Sequence, residues 1–533
     1  MELIEKVRQY LKENNIDYLL VNSTNEYLVE YSDLQENSRY FLTNFSGSTG
    51  DAIISQKGIW LFVDGRYHEQ ADLEVDKKIV TVVKMKIGES FTKHLEEQIK
   101  PKKTLAIVAK KNSQSRFEVF TNTLKNKDIK IKLLDIDPVM QFAENATTNK
   151  FQKIEQIDVS ITGRSSDEKI KHLSSKLGMD EAFLITNLEE VSYLCNLRDF
   201  SANYSSKIKA KCLVAKNFWW KCPTDCNFGD YIHKLNGISK IFVDKNTITA
   251  YDFQLLGDKA IHSEENYIRE MKSVKTKEEI AHYKESFKRT DQALFATRTF
   301  IEKTDNISEF DIAQNLEENF YKFGARSLSF KSIVAKDKNA ALAHYSKSSK
   351  EEILKDGSLV LIDCGAYYEG GYATDITRVF VKGTPSKLQK EVYTIVLKGF
   401  LKGFNKKMTP TTTGFSVDSA ARKLMDENKP ANFEFSHSLG HGIGISVHEA
   451  PPSLAFSPLA KTPIKPNMCF TIEPGLYNPK LFGVRLENSC YLKEEDEKLT
   501  ITSFSNMCFE EKLIDFDLLT AVEKKQLKEF EVK

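Results

Sequence analysis

Two stretches in the N-terminal half of the chain follow the same plan, and this repetition limits the folds that the chain can adopt. Leu3 to Leu20 reads as an amphipathic helix that runs into the strand-like IDYLLV. Residues 167–196 repeat the order, with a helix, a strand at Ala182–Thr186 and a short apolar helix. Helical spacing followed by a short apolar, β-branched run is typical of an α/β unit. The sequence therefore predicts two related α/β domains in tandem, and the period is far too long for a solenoid.

Further strands and a boundary are predicted around these two stretches. Apolar runs bounded by Gly, Asp or Lys predict strands at 52–55, 59–64 and 78–83 in the first domain, and at 213–216, 241–244 and 248–253 in the second. The segment 141–156 is polar and has no clear strand pattern, so the first boundary is expected there.

A third region starts near residue 266. Thr276 and Glu279 have the spacing of a capping box, in which the hydroxyl and the carboxylate each bond the other residue's backbone amide. Apolar residues recur at helical spacing behind it, and 379–403 and 413–427 show more helical pattern. We expect three domains, at 1–155, 156–265 and 266–533.

Bulk properties exclude several classes of protein. The 533 residues are 41% hydrophobic and 28% charged, with a formal net charge of +1, which is ordinary for a globular protein and does not indicate nucleic acid or an anionic membrane as a partner. The first residues carry acids and lysines throughout, so no secretory signal is expected. No run of about eighteen uncharged apolar residues exists, so no transmembrane helix is expected.

Eight scattered cysteines predict reduced thiols in a cytoplasmic protein rather than a disulfide framework. Cys222 and Cys226, with His233 nearby, have the spacing of a metal clip. They lack a second pair at zinc-finger spacing, so the thiol interpretation is preferred.

Two aspartates lie in a predicted hairpin. Residues 359–362 and 376–380 are strand-like and flank a turn signal at 369–372, so Asp363 and Asp375 fall on opposing strands within apolar runs. Burying an ionised carboxylate costs roughly several kcal/mol of folding free energy unless a partner compensates its charge. Either a shared cation or salt bridges, for example to Arg378, would provide this compensation, and the hairpin alone gives the two readings similar weight.

The histidines are distributed unevenly. Three of them, His437, His441 and His448, lie among glycines and small apolar residues, and Gly440, Gly442 and Gly444 permit close approach of the backbone. The spacing lacks the glutamate of a helical zinc motif, and no helix follows that would suit a nucleotide loop. Six others are expected at the solvated surface: His68, His94, His172, His233, His262 and His282.

Two glutamates complete the pattern. Glu473 and Glu487 again interrupt apolar strands, with Pro474-Gly475 as a break between them. Four carboxylates and one imidazole suit a pair of divalent cations. A purely structural explanation would require several independent buried ion pairs. The sequence therefore favours a two-metal site held by Asp363, Asp375, Glu473, Glu487 and one of the three clustered histidines.

The chain is similar over nearly its whole length to the pita-bread metallopeptidases, and within them to the Xaa-Pro aminopeptidases, also called aminopeptidase P. The motifs that carry the resemblance are NFSGSTGDAII, DGRYHEQA, ALAHYS, LIDCGAYYEGGYATDITR, HSLGHGIGISVHEAP, FTIEPGLY, GVRLEN and IDFDLLTAVEKKQL. The long, three-domain cytosolic type of the family is implied. Its fold combines α/β and α+β parts: two tandem α/β N-terminal domains and a C-terminal pita-bread (creatinase/aminopeptidase-like) catalytic domain.

The resemblance also implies roles for individual residues. Asp363 holds one metal, His441 and Glu473 hold the other, and Asp375 and Glu487 bridge both. His344, His437 and His448 contact the substrate or support the ligands, and Arg485 orients a ligand carboxylate. The spacer between Asp363 and Asp375 is one residue longer than in the family pattern, which we expect to change the turn at 369–372 and not the ligands.

The activity implied is release of the N-terminal residue from peptides with proline in second position, through hydroxide shared by two metal ions. Glu473 is the expected general base, and His437 or His448 is expected to stabilise the oxyanion. Mn²⁺ is the expected metal, with Zn²⁺ and Co²⁺ as alternatives. A homodimer formed through the C-terminal domain is also implied.

Three alternatives share the fold. Prolidase cleaves Xaa-Pro dipeptides with the same five ligands, but the tandem N-terminal domains and the C-terminal tail favour the aminopeptidase. An inactive pita-bread module that binds peptides or proteins would have lost ligands, and here all five positions carry competent residues. Methionine aminopeptidase normally lacks the two preceding domains.

Overall fold

The computed structural model describes residues 2–86, 88–147, 152–223, 228–233 and 235–531. The chain divides into two compact units. The first unit contains Met1–Gln152, Ser166–Cys195 and Ile208–Ile268, and the second contains Lys153–Ser165, Asn196–Lys207 and Arg269–Lys533. The three domain boundaries expected from the sequence stay a prediction.

The first part of the chain builds a six-stranded sheet. Its elements are α1 (Glu2–Glu13), β1 (Tyr18–Val21), α2 (Ser38–Thr43), β2 (Asp51–Ser55), β3 (Ile59–Val63), α3 (His68–Glu74), β4 (Val80–Lys84), α4 (Phe91–Gln98), β5 (Thr104–Val108), α5 (Gln114–Leu124), β6 (Lys130–Leu134) and α6 (Pro138–Phe142). The strand order is β4-β3-β2-β1-β5-β6. Apolar residues on both faces of the sheet are buried, which explains why its strands are near-continuous apolar runs.

The next part contains a five-stranded sheet. Its elements are β7 (Ile154–Gln156), α7 (Val159–Thr162), α8 (Ser166–Ser175), β8 (Glu181–Ile185), α9 (Leu188–Cys195), β9 (Leu197–Asp199), β10 (Ala210–Ala215), β11 (Trp219–Pro223), α10 (Phe228–His233), β12 (Lys240–Val243), α11 (Ala250–Leu256), β13 (Ala260–His262) and α12 (Tyr267–Ser273). The strand order is β11-β10-β8-β12-β13.

The two sheets share one topology, as the repeated helix–strand plan predicts. In each sheet, a central strand that follows a helix pairs antiparallel with the first strand of the next hairpin on one side. On its other side it pairs parallel with a later strand. Thus β1 lies between antiparallel β2 and parallel β5, and β8 lies between antiparallel β10 and parallel β12. The first sheet adds β4, which runs parallel to β3.

Two predictions in this part of the chain are wrong. Residues 248–253 were expected to form a strand, but Ala250–Leu256 is helix α11, because the Thr249 side chain accepts a hydrogen bond from the Asp252 amide and caps the helix. The segment 141–156 does contain a strand, since Ile154–Gln156 pairs antiparallel with β9. That strand has only three residues, too few to show a period.

The remaining helices and strands all lie in the second unit. They are α13 (Lys277–Lys303), α14 (Glu309–Lys322), β14 (Ser327–Leu328), β15 (Ile333–Lys336), β16 (Leu359–Cys364), β17 (Ala366–Tyr367), β18 (Ile376–Val381), α15 (Lys387–Phe404), α16 (Gly414–Asn428), β19 (Gly440–His441), β20 (Ser453–Leu454), β21 (Cys469–Ile472), β22 (Gly475–Tyr477), β23 (Gly483–Arg485), β24 (Asn488–Glu495), β25 (Lys498–Ser503) and α17 (Ala521–Glu531).

Two antiparallel sheets organise this unit. The order of the first is β15-β16-β18 and that of the second is β21-β24-β25. Helices α13 and α14 bury their apolar faces against Val360, Ile362 and Ile376 on one face of the first sheet. Helices α15 and α16 pack into a larger core that contains Leu361 and Val379 from its other face and Phe470 from the second sheet. Both sheets are therefore held rigidly at the ends where the acidic residues lie.

The helical prediction at 379–403 is wrong at its start. Residues Val379–Val381 complete β18, and α15 begins only at Lys387. Gly383 adopts a positive φ of 77° and Pro385 follows, so the chain turns before Ser386 caps the helix. The helix expected at 413–427 is confirmed as α16, with Thr413 as its N-cap.

Two expectations from composition agree with the structure. The cysteines whose side chains are described are free thiols: Cys195, Cys212, Cys364, Cys469, Cys490 and Cys508. Across the described ranges, every helix is too short or too polar to cross a bilayer.

The capping box at the start of α13 yields a stability prediction. Thr276 Oγ1 accepts from the Glu279 amide at 3.1 Å and Glu279 Oε2 accepts from the Thr276 amide at 2.7 Å. Replacing Thr276 with Ala should lower the free energy of unfolding by about 1 kcal/mol, because the amide loses its acceptor. Denaturant unfolding would measure this. The exposed control Lys277→Ala should change stability by less than about 0.5 kcal/mol, and equal losses in both variants would contradict the prediction.

Candidate metal centre

The four candidate acids lie at the ends of strands, where two antiparallel pairs open. Asp363 is in β16, opposite Thr377, and Asp375 directly precedes β18. In the second sheet the last pair is Ile472 with Asn488, so Glu473 follows β21 and Glu487 precedes β24. The sequence placed these acids within strands. Three of them lie one residue outside, where the ladder no longer fixes the direction of the side chain.

Glycine brings His441 close to the second sheet. A Cβ atom at Gly440 would lie 2.0 Å from the Thr471 carbonyl oxygen, so only glycine allows this approach. The His441 amide donates to Thr471 Oγ1 at 3.1 Å. His441 Nδ1 lies 3.1 Å from the Gly442 carbonyl oxygen, which can only accept. Nδ1 therefore carries the proton, and Nε2 offers its lone pair.

The Nε2 atom points at the acids. It lies 3.5 Å from Asp375 Oδ2 and 3.4 Å from Glu473 Oε1. One ligand atom each from Asp375, His441 and Glu487 fall within 4.8 Å of one another. The structure thus brings together residues that are far apart in the chain.

Burial and the charges of neighbouring acids disfavour the ionised forms of Asp375, Glu473 and Glu487 in the metal-free protein. Burial, followed by the charge of Glu487, raises the pKa of Glu473 to about 8. Burial and the neighbouring charges of Asp363 and Glu473 raise the pKa of Asp375, and burial with Asp375 and Asp363 raises that of Glu487. A positive charge placed among them would reverse these shifts.

Unsatisfied oxygens test whether the site suits cations. Asp363 Oδ1 and Glu487 Oε1 are buried and accept no hydrogen bond from any residue that the structure describes. Buried polar atoms are nearly always paired, so each orphan requires an explanation. Carboxylate oxygens together with one imidazole nitrogen are suitable donors for Mn²⁺ or Zn²⁺, and the residues therefore fit a metal centre.

Neighbouring side chains fix the outer oxygens of two acids. Arg485 Nη2 donates to Asp363 Oδ2 at 2.6 Å, and its Nε donates to Thr377 Oγ1 at 3.2 Å. Thr377 Oγ1 donates in turn to Glu487 Oε2 at 2.7 Å. In each acid, one oxygen is held by the protein and the other is left for a ligand, as is usual around metal ligands.

His437 belongs to the same network through Tyr477. Its Nδ1 lies 2.8 Å from the Ser438 carbonyl oxygen, so Nδ1 donates, and Nε2 accepts from the Tyr477 hydroxyl at 2.7 Å. Tyr477 Oη accepts from Arg485 Nη1 at 2.9 Å. The chain His437–Tyr477–Arg485–Asp363 therefore leads from this histidine to a candidate ligand.

The other two candidate histidines differ in how they are placed. The ring of His448 lies edge-on to that of His441, with 4.4 Å between the centroids, so it is adjacent to the cluster. His344 is half-buried in the turn after Asp337–Ala341, next to Tyr345, whose hydroxyl donates to Glu309 Oε2 at 2.7 Å. The roles assigned to both stay predictions.

His282 and the possible Cys222/Cys226 metal clip are the other two expectations to compare with the structure. The surface assignment is wrong for His282: it is half-buried, its Nε2 accepts from the Gly370 amide at 3.0 Å, and burial lowers its pKa to about 4. The turn at 369–372 is thus held by hydrogen bonding. The side chains of Cys222 and His233, and the whole of Cys226, lie outside the described residues.

Sequence reasoning missed Tyr477, Thr377 and Thr471, which support the ligands. Thr471 Oγ1 donates to Glu473 Oε1 at 3.4 Å in addition to accepting from His441. Thr377 follows Asp375 by two residues and Thr471 precedes Glu473 by two, and the sequence analysis had placed both acids within strands. Residues two apart share a strand face, and this was the signal that could have identified both threonines.

Comparison with known proteins assigns the class. Residues 281–494 match the model of metallopeptidase family M24, and residues 4–141 match that of the creatinase/prolidase N-terminal domain. The chain therefore contains an M24 metallopeptidase domain at 281–494 and a creatinase/prolidase N-terminal domain at 4–141. Its fold class is the one expected from the sequence.

Individual relatives are more specific. The probable Xaa-Pro aminopeptidase P of Laccaria bicolor is 27% identical, over 99% of this chain and 89% of that protein. Xaa-Pro aminopeptidase 1 of Dictyostelium discoideum is 25% identical, over 97% and 90%. The crystal structure of X-prolyl aminopeptidase from Caenorhabditis elegans, a cytosolic enzyme with a di-nuclear active site, has a TM-score of 0.91 at 21% identity and covers 99% of this chain and 94% of that one. This likeness shows the fold.

The raised pKa of Glu473 predicts how the stability of the metal-free protein depends on pH. Between its ordinary value of 4.5 and about 8, the native state holds a proton that the unfolded chain has released. Stability should therefore fall as pH rises through this window. The shifts of Asp375 and Glu487 act in the same direction.

Thermal midpoints of chelator-treated protein across this window would measure the effect. Glu473→Gln should reduce the slope, and adding Mn²⁺ to the wild-type protein should remove it, because bound cations favour the ionised forms. A metal-free midpoint that rises with pH over the same range would contradict the assignment.

Proposed function

We propose that this chain is a metal-dependent aminopeptidase that releases the N-terminal residue from peptides with proline in second position. The observation that carries the proposal is the convergence of four acids and His441, with buried oxygens of Asp363 and Glu487 that lack a hydrogen-bond donor. The Xaa-Pro aminopeptidases that match almost the whole chain support the same activity.

Two divalent cations would be held by five side chains. Asp363 would hold one cation, His441 and Glu473 the other, and Asp375 and Glu487 would bridge them. The di-nuclear active site of the Caenorhabditis elegans enzyme supports this number. When bound, such a pair lowers the pKa of a water and polarises a carbonyl group. Mn²⁺ is the proposed metal, because oxygen donors predominate, with Zn²⁺ and Co²⁺ as alternatives.

Glu473 is the proposed general base. It lies at the edge of the cluster with 17% of its side chain exposed, so a water can reach it. Its carboxylate would accept the proton of the attacking water and pass it to the leaving imino nitrogen of proline. Like any amide nitrogen, it must gain a proton to leave as an amine when the C–N bond breaks, and in the Xaa-Pro bond it carries no hydrogen of its own.

His448 is the proposed donor to the carbonyl oxygen as negative charge develops on it. The sequence left His437 and His448 as equal candidates. Both ring nitrogens of His437 are already occupied, by Ser438 and Tyr477. We therefore assign His437 to supporting Tyr477 and Arg485, and His448, whose ring contacts His441, to the oxyanion. His344 is proposed to contact the substrate.

Location and assembly are part of the proposal. The chain is proposed to be cytoplasmic, in agreement with the cytosolic Caenorhabditis elegans enzyme. It is proposed to form a homodimer through its C-terminal domain, where Phe456, Leu459 and Val522 are exposed apolar residues. The domains are proposed to be those expected from the sequence, at 1–155, 156–265 and 266–533.

Peptides of increasing length test the activity directly. With Mn²⁺ present, a tripeptide such as Arg-Pro-Pro should lose its first residue, and prior chelation should abolish the reaction because the bound cations are removed. Product release would be followed by chromatography. Cleavage of Gly-Pro but no tripeptide would identify a prolidase, and an intact fold that binds no metal by mass spectrometry would indicate a binding module.

Glu473→Gln tests the assignment of the base. The amide can still contact a cation but cannot accept the proton, so kcat should fall by at least about 100-fold. Metal content and thermal midpoint should be compared in parallel, so that a loss of metal is not mistaken for a loss of the base. Turnover within about threefold of the wild-type rate, which is far less than general-base catalysis contributes, would exclude Glu473 from this role.

A further inference from the structure

The loop between His441 and His448 has almost no regular structure, although it connects two residues of the candidate site. Residues 442–447 are buried, and only Gly442 makes a β-bridge, with Phe470. Three of the loop residues are glycine or serine, which confer little rigidity. Another group must therefore hold the loop in one conformation.

Glu449 occupies the centre of this loop. Its Oε2 accepts from the Ile445 amide at 2.8 Å and from the Ser446 amide at 3.5 Å. Its own amide donates to the Gly442 carbonyl oxygen at 2.7 Å, the same oxygen that accepts from His441 Nδ1. Glu449 thus bonds both the start and the middle of the loop, and its amide contacts the carbonyl group that sets the tautomer of His441.

Two buried lysines keep this carboxylate ionised. Glu449 Oε1 lies 3.1 Å from Lys272 Nζ and 3.0 Å from Lys275 Nζ, and each of the three side chains is at most 3% exposed. Burial alone would raise the pKa of Glu449, but the two lysines lower it to about 2. An ionised acceptor binds backbone amides more strongly than a neutral one.

Gly444 shows how tightly the loop encloses the carboxylate. A Cβ atom there would lie 2.0 Å from Glu449 Cδ and Oε1. The Gly444 carbonyl oxygen accepts from the Ala373 amide at 2.8 Å, two residues before Asp375. The loop is therefore joined to the strand end that carries a second candidate ligand.

We infer that Glu449, held by Lys272 and Lys275, is a positioning residue that fixes the 442–449 loop and, through it, the rings of His441 and His448. The consequence for turnover rests on the proposed function, whereas the consequence for the loop and for metal binding does not. Glu449 itself contacts neither substrate nor metal in this assignment.

Glu449→Gln is the first test. The variant replaces one acceptor oxygen with an N–H group that must face either the lysines or the loop amides. Peptides covering 442–449 should then exchange amide hydrogen for deuterium faster by mass spectrometry, and kcat for Arg-Pro-Pro should fall about 10- to 100-fold, with a smaller change in KM. Mn²⁺ affinity should fall about 10-fold, as for other residues that orient a metal ligand.

Glu510→Gln is the matched control. Glu510 is 4% exposed in the same unit, its carboxylate lies 3.3 Å from Arg298, and its amide donates to Tyr393 Oη, so these partners lie outside the 442–449 loop. This variant should lose stability without a change in loop exchange, kcat or Mn²⁺ affinity.

A triple variant separates positioning from stability. In Glu449→Gln, the buried ammonium groups of Lys272 and Lys275 lose the charge of Glu449, which is costly for folding. Combining Glu449→Leu with Lys272→Met and Lys275→Met removes all three charges, so the thermal midpoint should recover towards wild type. The Ile445 and Ser446 amides still lack their acceptor, so loop exchange should stay fast and kcat low.

The outcomes are distinct. Unchanged loop exchange in Glu449→Gln would overturn the inference, and so would faster exchange with unchanged kcat and Mn²⁺ affinity. Recovery of kcat together with stability in the triple variant would also overturn it, because the charges would then serve folding alone. If the wild-type protein cleaves no Xaa-Pro peptide, the proposed function fails by itself, and loop exchange with Mn²⁺ affinity decides the inference.

Discussion

Repulsion among four carboxylates, two of them buried and two mostly buried, is the constraint on which the second unit depends. Removing one ionised carboxylate from water costs roughly several kcal/mol, and close neighbours of like charge raise this cost. Arg485 pairs with Asp363, while the raised pKa values of Asp375, Glu473 and Glu487 show that the cluster as a whole lacks positive charge. The same arrangement lowers the stability of the metal-free protein and strengthens the binding of cations. Bound cations should therefore raise the free energy of unfolding.

The two antiparallel sheets make this arrangement possible. Each contributes two acids from the place where a strand pair ends, and each sheet is fixed by helices that pack on it. Three of the four acids lie one residue beyond a paired strand, where alternation no longer directs neighbouring side chains to opposite faces. Arg485 and Thr377 connect an acid of the first sheet to an acid of the second by hydrogen bonds. Arg485 donates to Asp363 and to Thr377, and Thr377 donates to Glu487.

The sequence located the candidate acids better than their surroundings. Acids inside apolar runs, such as Asp375 and Glu487, need compensation under any fold, so they could be chosen as candidates without coordinates. Tyr477 was missed because a tyrosine in an apolar strand is ordinary, and only the contact with His437 and Arg485 gives it a role. Residues 248–253 were misassigned because a local cap at Thr249 outweighed an apolar, β-branched run. His282 looked like a surface residue because its partner, Gly370, lies far away in the chain.

Glu449 and Glu473 show why a count of acids would not have located the metal centre. Both are glutamates in the second unit, and burial acts to raise the pKa of each. Lys272 and Lys275 lower that of Glu449 to about 2, whereas Glu487 adds to the rise that brings Glu473 to about 8. For the first carboxylate, the two lysines outweigh the effect of burial, so it stays ionised and holds structure. For the second, the charges of His441 and Arg485 only partly offset burial and repulsion, which leaves it able to bind a cation or to accept a proton. Compensation, rather than residue type or burial, therefore separates the residue that positions the loop from the residue proposed to perform the chemistry.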